Sequence, residues 1–382
     1  MKKLNYGFQT IDDGDVELVA KALKDDWLTT GPAIDKFEKV FAKRVGSKYA
    51  VAVCNGTAAL HIAVLSLDLP EGSEGITTPL SFVATSNAML YCGLKPVFVD
   101  IDKSTYNIDP NLIKDKLSKN IKLLMPVHFA GRPCDMKKIK DLSGKRFIIE
   151  DAAHALGSKY ENGKMVGSCC YSDMTIFSFH PVKTITTGEG GMVTTNSKIL
   201  YEKLKLLRTH GITKKFSKDF ISPGPWYYEM VDLGFNYRLT DFQAVLGLSQ
   251  LKKLNKFIIK RRKIVEIYNN SFKNIDWIKT PNDINNDFIT YHLYVIQINF
   301  EKIGKTRGEV MKILSDCGIN TQVHYIPIYL QPYYRKKFGY KDGYCVNVEN
   351  YYKNCLSLPL FPLMNQKDVL RVVKSIKNLY HF

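Results

Sequence analysis

The sequence predicts an α/β protein: a large N-terminal domain over residues 1–245 built on a mainly parallel sheet, then a smaller α+β domain over 246–382. Three observations carry this. Between residues 49 and 195, short apolar runs rich in β-branched residues alternate with stretches of helical periodicity, which is the pattern of βαβ units. After about residue 240 the alternation stops and one long helical pattern takes over. The 382 residues exceed one ordinary domain and suffice for two with buried cores.

Asp13 and Asp15 open a helix over 13–24, whose apolar face is Val16, Leu18, Val19 and Leu23. A second amphipathic helix covers 34–45. Residues 49–53 form a strand, and Gly56-Thr57-Ala58-Ala59-Leu60 starts a helix that runs to about 67. Strands follow at 75–78, 95–99, 121–127 and 147–150, separated by helices at 82–91, 111–116 and 136–142. Strands at 174–177 and 191–195 complete the series. Residues 240–272 read as one long helix or a broken pair, and the basic second half (Lys256, Lys260, Arg261, Arg262, Lys263) as solvated surface. Strands at 291–299 and 321–325 and helices at 307–317, 346–354 and 366–377 finish the chain. The Asn-, Asp- and Pro-rich stretch 279–287 is a loop.

Lys and Arg number 54 against 37 Asp and Glu, a formal net charge of +17, with 45 % hydrophobic residues. The composition excludes collagen-like, disordered and disulfide-scaffold proteins, and no apolar run reaches the ~18 residues of a membrane span. The first residues, Met-Lys-Lys-Leu-Asn-Tyr-Gly, lack the apolar core of a signal peptide. The lysines are scattered, many beside Asn and Ile, so the charge reads as compositional bias over a solvated surface. No nucleic-acid or membrane partner is expected; an anionic small molecule such as a nucleotide sugar fits the sign. The eight cysteines show no C-x-x-C pair and no metal-ligand spacing. They read as reduced thiols packed as small hydrophobes in a cytoplasmic protein, with no metal site.

The chemistry gathers in three places. Phe147-Ile148-Ile149-Glu150-Asp151 puts a carboxylate at the carboxyl end of a buried strand, where open α/β sheets bind ligands. Asp151 there can hold a positive charge, or simply cap the strand. Ser178-Phe179-His180-Pro181-Val182-Lys183, whose lysine lies 32 residues past Asp151, forms a compact turn followed by a Gly-rich return at 188–191. A lysine held in such a turn can form a Schiff base with an aldehyde. Asn55-Gly56-Thr57 opens a helix after a strand, and helix N-termini suit phosphate. The Gly188-Glu189-Gly190-Gly191 run opens no helix and is not a dinucleotide fingerprint. A phosphate cradle, an aromatic at Phe82, a strand-end Asp and a Schiff-base Lys are the parts pyridoxal phosphate requires.

With those residues in view, the chain resembles the DegT/DnrJ/StrS sugar-nucleotide aminotransferases, fold type I of the pyridoxal-phosphate enzymes. The matching segments are 28–31, 55–60, 78–85, 126–131, 150–154, 177–183 and 234–239, in the family's order. Pro181 to Gly191 and Gln322-Val323-His324-Tyr325-Ile326-Pro327 look like the family's pseudaminic-acid branch, which aminates the C4 keto group of a UDP-linked 2-acetamido-2,6-dideoxy-4-hexulose. The resemblance implies that Lys183 is the Schiff-base lysine and proton shuttle and that Asp151 pairs with the pyridine nitrogen. It implies that Phe82 stacks on the cofactor and His154 supports Asp151 or the ring oxygen. Gly56, Thr57 and Ser178 would hold the phosphate, with Asn236 reaching the phosphate of the neighbouring subunit in a homodimer. Tyr6, Asp26, Trp27, Leu28, Thr29, Gln322, His324 and Tyr325, with Gly56, Ser178 and Asn236, would line the sugar-nucleotide site. The amino donor it implies is L-glutamate, in two half-reactions. Family members with His at the lysine position are dehydratases; Lys183 favours transamination.

Three other readings compete with this one. A fold-preserving binding protein is disfavoured by the complete Lys183 turn. Cysteine desulfuration needs a cysteine in a mobile Gly/Ser-rich loop, which none of the eight occupies. The serious rival is a family aminotransferase acting on another NDP-keto-sugar, of legionaminic, bacillosamine or perosamine type, because substrate choice lives in the site.

Overall fold

Runs of small and β-branched residues, buried on both faces, build a seven-stranded sheet. In the computed structural model, which describes residues 3–214, 216, 223–281 and 287–380, its strands are β1 (Tyr49–Val53), β2 (Glu74–Thr77), β3 (Lys95–Phe98), β4 (Ile121–Met125), β5 (Phe147–Asp151), β6 (Met174–Ser178) and β7 (Gly191–Thr195). Their spatial order is β1-β7-β6-β5-β4-β2-β3. The pairs from β6 through β3 are parallel, and β7 runs antiparallel to both β1 and β6. Six strands therefore share one direction and only β7 is reversed. The carboxyl ends of β1, β6, β5, β4 and β2 open onto one edge, and β7 brings its amino end, Gly191, to the same edge. The register places Gly191 opposite Val53 on one side and Ser178 on the other.

A second sheet of three antiparallel strands, Ile278–Lys279, Tyr294–Ile298 and Cys355–Leu358, lies in the C-terminal part. The helix Asp241–Phe272 serves both parts. Ala244, Leu251, Leu254, Phe257 and Ile258 pack into the core of the main sheet, whereas Ile264, Val265, Tyr268 and Phe272 pack into the core of the small sheet. A further apolar cluster bridges the two parts, with Leu80, Phe98 and Phe129 against Leu293, Val295, Ile328 and Tyr329. The N-terminal segment straps across them: Leu4 donates to Gly318 at 2.8 Å, Asn320 donates back to Leu4 at 2.7 Å, and Leu360 donates to Tyr6 at 3.0 Å.

The predicted elements fall within a few residues of the observed ones, with instructive exceptions. The helix expected over 82–91 starts at Ala84, because residues 81–83 turn into the site. The 240–272 pattern is a single unbroken helix, opened by a capping box between Thr240 and Gln243. The strand predicted over 321–325 does not form. The segment makes one bridge, Gln322 with Ser357, and its next carbonyl, that of His324, is taken by the Tyr351 hydroxyl at 2.9 Å. The helix Lys198–Arg208 and the strand Cys355–Leu358 carry no prediction. Of the predicted loop, residues 282–286 lie outside the described residues, as do Met1 and Lys2 of the N-terminal segment. All eight cysteines are free thiols, four of them buried. No described helix is long and apolar enough to cross a membrane.

Buried charge is spent on holding strands. Glu38, 4 % exposed, accepts from the Ala52 N–H at 2.8 Å and from Arg208, which also donates to the Ala52 carbonyl at 2.8 Å. Glu38→Ala leaves Arg208 buried without its carboxylate. The expected loss is about 3–5 kcal/mol, read as a lower midpoint in thermal or denaturant unfolding; an unchanged midpoint would show that the pair does not anchor β1.

Candidate active site

At the shared edge of the main sheet lies a cavity of about 640 Å³, lined by residues from every strand end named above and from the C-terminal part. Asp151 occupies its floor, 4 % exposed at the last position of β5. One carboxylate oxygen accepts from Thr85 Oγ1 at 2.7 Å and the other from the Ala153 N–H at 3.1 Å. Thr85 in turn sits 2.8 Å from Ser81 Oγ, so the carboxylate is held by a short hydroxyl chain. Lys183 lines the same cavity, fixed in its turn by a backbone bond to the His180 carbonyl at 2.9 Å. Burial pulls its amine down to about 8, against the opposing pull of the Asp151 charge.

The cradle is built by close backbone approach. Asn55 caps the helix Gly56–Leu65, accepting from the Ala58 N–H at 2.8 Å, which leaves the N–H groups at the very start of the helix for a ligand. A Cβ at Gly56 would stand 2.9 Å from Ser178 Cβ, and one at Gly191 would stand 2.4 Å from the Asn55 carbonyl oxygen. Only glycine permits this approach, and it sets Gly56, Thr57 and Ser178 around one end of the cavity.

Three histidines form the opposite wall. His154 and His292 are buried with ring centroids 4.4 Å apart, and neither Nδ1 has a hydrogen-bond partner among the described residues. Tyr325 Oη lies 3.3 Å from His154 Nε2, and its ring is nearly parallel to the imidazole. His324 Nδ1 meets Ser357 Oγ at 2.8 Å. Burial, then the Lys183 charge, drives His324 down to about 3 and holds His154 well below the ordinary value; burial, then His154 and Lys183, does the same for His292. The imidazoles are therefore neutral. Tyr6 reaches the wall from the N-terminal strap, with its ring 5.1 Å from that of His324.

Of the residues singled out in the sequence, Gly56, Thr57, Phe82, Asp151, His154, Ser178, Lys183, Tyr6, Gln322, His324 and Tyr325 all line this one cavity. Phe82 is 60 % exposed, with its ring 6.5 Å from Tyr325 and its face open to a ligand. Asp26, Trp27, Leu28, Thr29 and Asn236 do not line it. Leu28 accepts from the Asp241 N–H at 3.0 Å and Thr29 bridges to Thr240, while Asn236 bridges to Thr209. Sequence reasoning passed over Thr85, Ser81, His292 and Glu189. Thr85 and Ser81 stand inside a matched segment, but nothing in spacing says that a hydroxyl there meets Asp151. His292 comes from 141 residues beyond Asp151 in the chain, and only the fold brings it near.

The residues present fit pyridoxal phosphate. They provide a cradle that any Cβ would fill, a desolvated amine, a carboxylate with its orientation fixed, an open aromatic face and an orphaned imidazole nitrogen beside it. Among the described residues no cluster of His, Cys, Asp or Glu has the geometry of a metal site.

Comparison with known proteins agrees with this chemistry. The profile of the DegT/DnrJ/EryC1/StrS aminotransferase family matches residues 9–377. A Campylobacter jejuni protein named UDP-4-amino-4,6-dideoxy-N-acetyl-beta-L-altrosamine transaminase is 41 % identical over 370 residues, covering 96 % of this chain and 94 % of that one. The structure of Helicobacter pylori PseC, an aminotransferase involved in the biosynthesis of pseudoaminic acid, superposes with a TM-score of 0.92 at 32 % identity over the whole of both chains. The PLP-form of Spr1654 from Streptococcus pneumoniae superposes with a TM-score of 0.89 at 26 % identity, over 99 % of each chain.

Two outcomes follow from the geometry. Gly56→Ala pushes a methyl against Ser178 and displaces the cradle. Losing one charge-assisted bond should weaken pyridoxal-phosphate binding by roughly tenfold or more, measured by fluorescence titration of the cofactor-free protein; unchanged affinity would remove the cradle assignment. Only the neutral form of Lys183 attacks an aldehyde, and it predominates above pH about 8. Capture of pyridoxal phosphate, followed by stopped-flow absorption, should therefore accelerate as pH rises through 8 and fall by about tenfold per unit well below it.

Proposed function

The chain belongs to the DegT/DnrJ/EryC1/StrS aminotransferase family and is a pyridoxal-phosphate-dependent sugar aminotransferase, and on that premise we propose its reaction. It moves the amino group of L-glutamate to the C4 keto carbon of a UDP-linked 4-keto-6-deoxy-N-acetylhexosamine, in pseudaminic acid biosynthesis. The observation that carries the reading is a burial-depressed Lys183 amine facing a strand-end carboxylate in one cavity. The sugar class rests on the relatives named for the altrosamine and pseudoaminic acid.

Bound pyridoxal phosphate supplies an electron sink that makes the hydrogen next to the transferred nitrogen acidic. Gly56, Thr57 and Ser178 would hold its phosphate, Phe82 would face its ring and Asp151 would keep a proton on the ring nitrogen. Lys183 would hold the aldehyde carbon through its Nζ. Released by the donor, its Nζ takes the α-proton of glutamate. In the second half-reaction the same Nζ delivers a proton to C4 of the sugar. With His154, His292 and His324 neutral, Lys183 is a proton shuttle in the cavity wall with an affinity near neutral pH. A general acid–base group of this kind contributes roughly 10²- to 10⁴-fold.

The active unit in this reading is a cytoplasmic homodimer. Asn236 and residues 26–29 lie off the cavity of one chain; Trp226, Tyr228, Met230, Val231 and Leu233, which precede Asn236 in the sequence, and Trp27 are exposed apolar side chains. A second copy covers that apolar surface, and Asn236 of each chain reaches the other's phosphate.

The test is spectroscopic. The purified protein with pyridoxal phosphate should show a long-wavelength band that L-glutamate converts to the pyridoxamine form. Lys183→Ala should lack the band and lose turnover by at least about 10³-fold. The pyridoxamine form should then aminate the UDP-4-keto sugar, with product read by mass spectrometry. A band that glutamate leaves untouched would overturn the donor; a pyridoxamine form inert to the UDP sugar and reactive with another NDP-keto-sugar would overturn the acceptor.

A further inference from the structure

Behind the cavity, on the other face of β5, lies a charged group that this reaction does not use. Glu150 precedes Asp151 by one residue, so the strand's pleat turns the two carboxylates to opposite faces. Glu150 is completely buried. Its carboxylate accepts from His128 Nε2 at 2.7 Å, Tyr160 Oη at 2.6 Å, Thr175 Oγ1 at 3.1 Å and Ser172 Oγ. His128 Nδ1 accepts the Cys134 N–H at 3.0 Å, so that nitrogen carries no proton and the ring that donates to Glu150 is neutral. Burial alone would raise the Glu150 carboxyl, but the bond from His128 and the electrostatic attraction of that ring, then the bonds from Ser172 and Tyr160, bring it below the usual range.

The remaining titratable groups around it are Cys134, Tyr160 and Cys169. Burial, reinforced by the Glu150 charge, holds the first two well above their ordinary values, and Cys169 rises to about 12. All three stay protonated and neutral. The cluster is therefore one unneutralised negative charge, walled in on the far side of the strand that ends at Asp151. His128 also ties the two faces together, since its backbone N–H donates to the Asp151 carbonyl at 3.0 Å while its ring holds Glu150.

We propose that Glu150 is a positioning residue for the transamination. Its fixed negative charge, locked to the strand end through His128, deepens the negative potential at Asp151 and so strengthens the hold on a protonated pyridine nitrogen. A carboxylate held by four donors is costly as a mere strand anchor, since an apolar side chain of similar volume fills such a place at less expense. A buried charge one residue from Asp151 acts across a low-dielectric sheet with little screening. On the cavity side the facing ionisable groups are Asp151, Lys183, His180 and Glu189, with His154, His292 and His324 neutral. The inference rests on the pyridoxal-phosphate reading above.

The experiment follows the ring nitrogen directly. Wild type, Glu150→Gln and Ser172→Ala are loaded with ring-¹⁵N pyridoxal phosphate and titrated by NMR. Glu150→Gln removes the charge and should lower the apparent pKa of the ring nitrogen by roughly one unit, with a lowered kcat and little change in KM for glutamate. Ser172→Ala removes one donor but keeps the charge, and should move it by less than half as much. Equal shifts in the two variants, or none in Glu150→Gln, overturn the proposal. Should Glu150→Gln not fold, ¹³C-labelled glutamate side chains in the cofactor-free wild type decide: a Glu150 carboxyl protonated at pH 7 overturns it, and an ionised one upholds the charge it requires. Failure of the parent reading looks different, because the cofactor would then not bind through Lys183 in any of the three proteins.

Discussion

The reversed strand β7 is the constraint on which the site depends. Because it alone runs against the other six, Gly191 begins where Val53 and Ser178 end, and the three backbones meet in register. That meeting leaves no room for a side chain at Gly191 or Gly56. The glycine-lined end of the cavity is therefore a consequence of strand order, with the helix Gly56–Leu65 launched from the same point. Asp151 falls on the same edge because β5 is parallel to β6. The cradle and the carboxylate thus share one rigid frame, and their separation cannot drift without breaking sheet hydrogen bonds.

Burial does the electrostatic work inside that frame. One desolvation effect lowers Lys183 to about 8 and keeps the three histidines neutral. The consequence is a division of labour: a wall of uncharged imidazoles, one amine that exchanges protons near neutral pH, and one carboxylate whose two oxygens are already spoken for by Thr85 and the Ala153 N–H. The histidines come from three separate stretches, after β5 at 154, before the strand Tyr294–Ile298 at 292, and at 324. The wall therefore exists only when the C-terminal part is seated on the main sheet, which the apolar cluster of Leu80, Phe98 and Phe129 with Leu293 and Ile328 ensures.

Much of this was legible in the residues. Strand periodicity located all seven strands of the main sheet, since each is a short buried apolar run with turn signals on both sides. Asp151, Gly56 and Ser178 were visible because each ends or opens an element, where sequence position maps directly to spatial position, and Lys183 because it sits in the compact turn that follows β6. Partners across the chain were hidden. That Thr85 bonds Asp151, or that His292 packs on His154, depends on contacts 66 and 138 residues apart that no local pattern encodes. The segment 321–325 misled because its alternation of polar and apolar residues is real but serves the cavity wall and a single bridge to Ser357. The reversal of β7 was equally invisible, since a run such as Gly191–Thr195 reads the same in either direction.

The net charge of +17 has little to do with the chemistry at the sheet edge. Among the residues lining the cavity the one Lys is Lys183 and there is no Arg, while Asp151 and Glu189 supply two carboxylates. The basic stretch of the helix Asp241–Phe272 lies elsewhere, with Lys260 on its exposed side and Arg261 buried and donating to the carbonyls of His292 and Leu360 at 3.2 and 2.8 Å. Arg261 thus serves the site through geometry, by fixing the backbone that carries His292. A lysine-rich surface would look the same around an unrelated cavity. The discriminating charges at the site are the few whose solvation the fold has removed: Asp151, held by Thr85 and the Ala153 N–H at the end of β5, and Lys183, in the turn after β6.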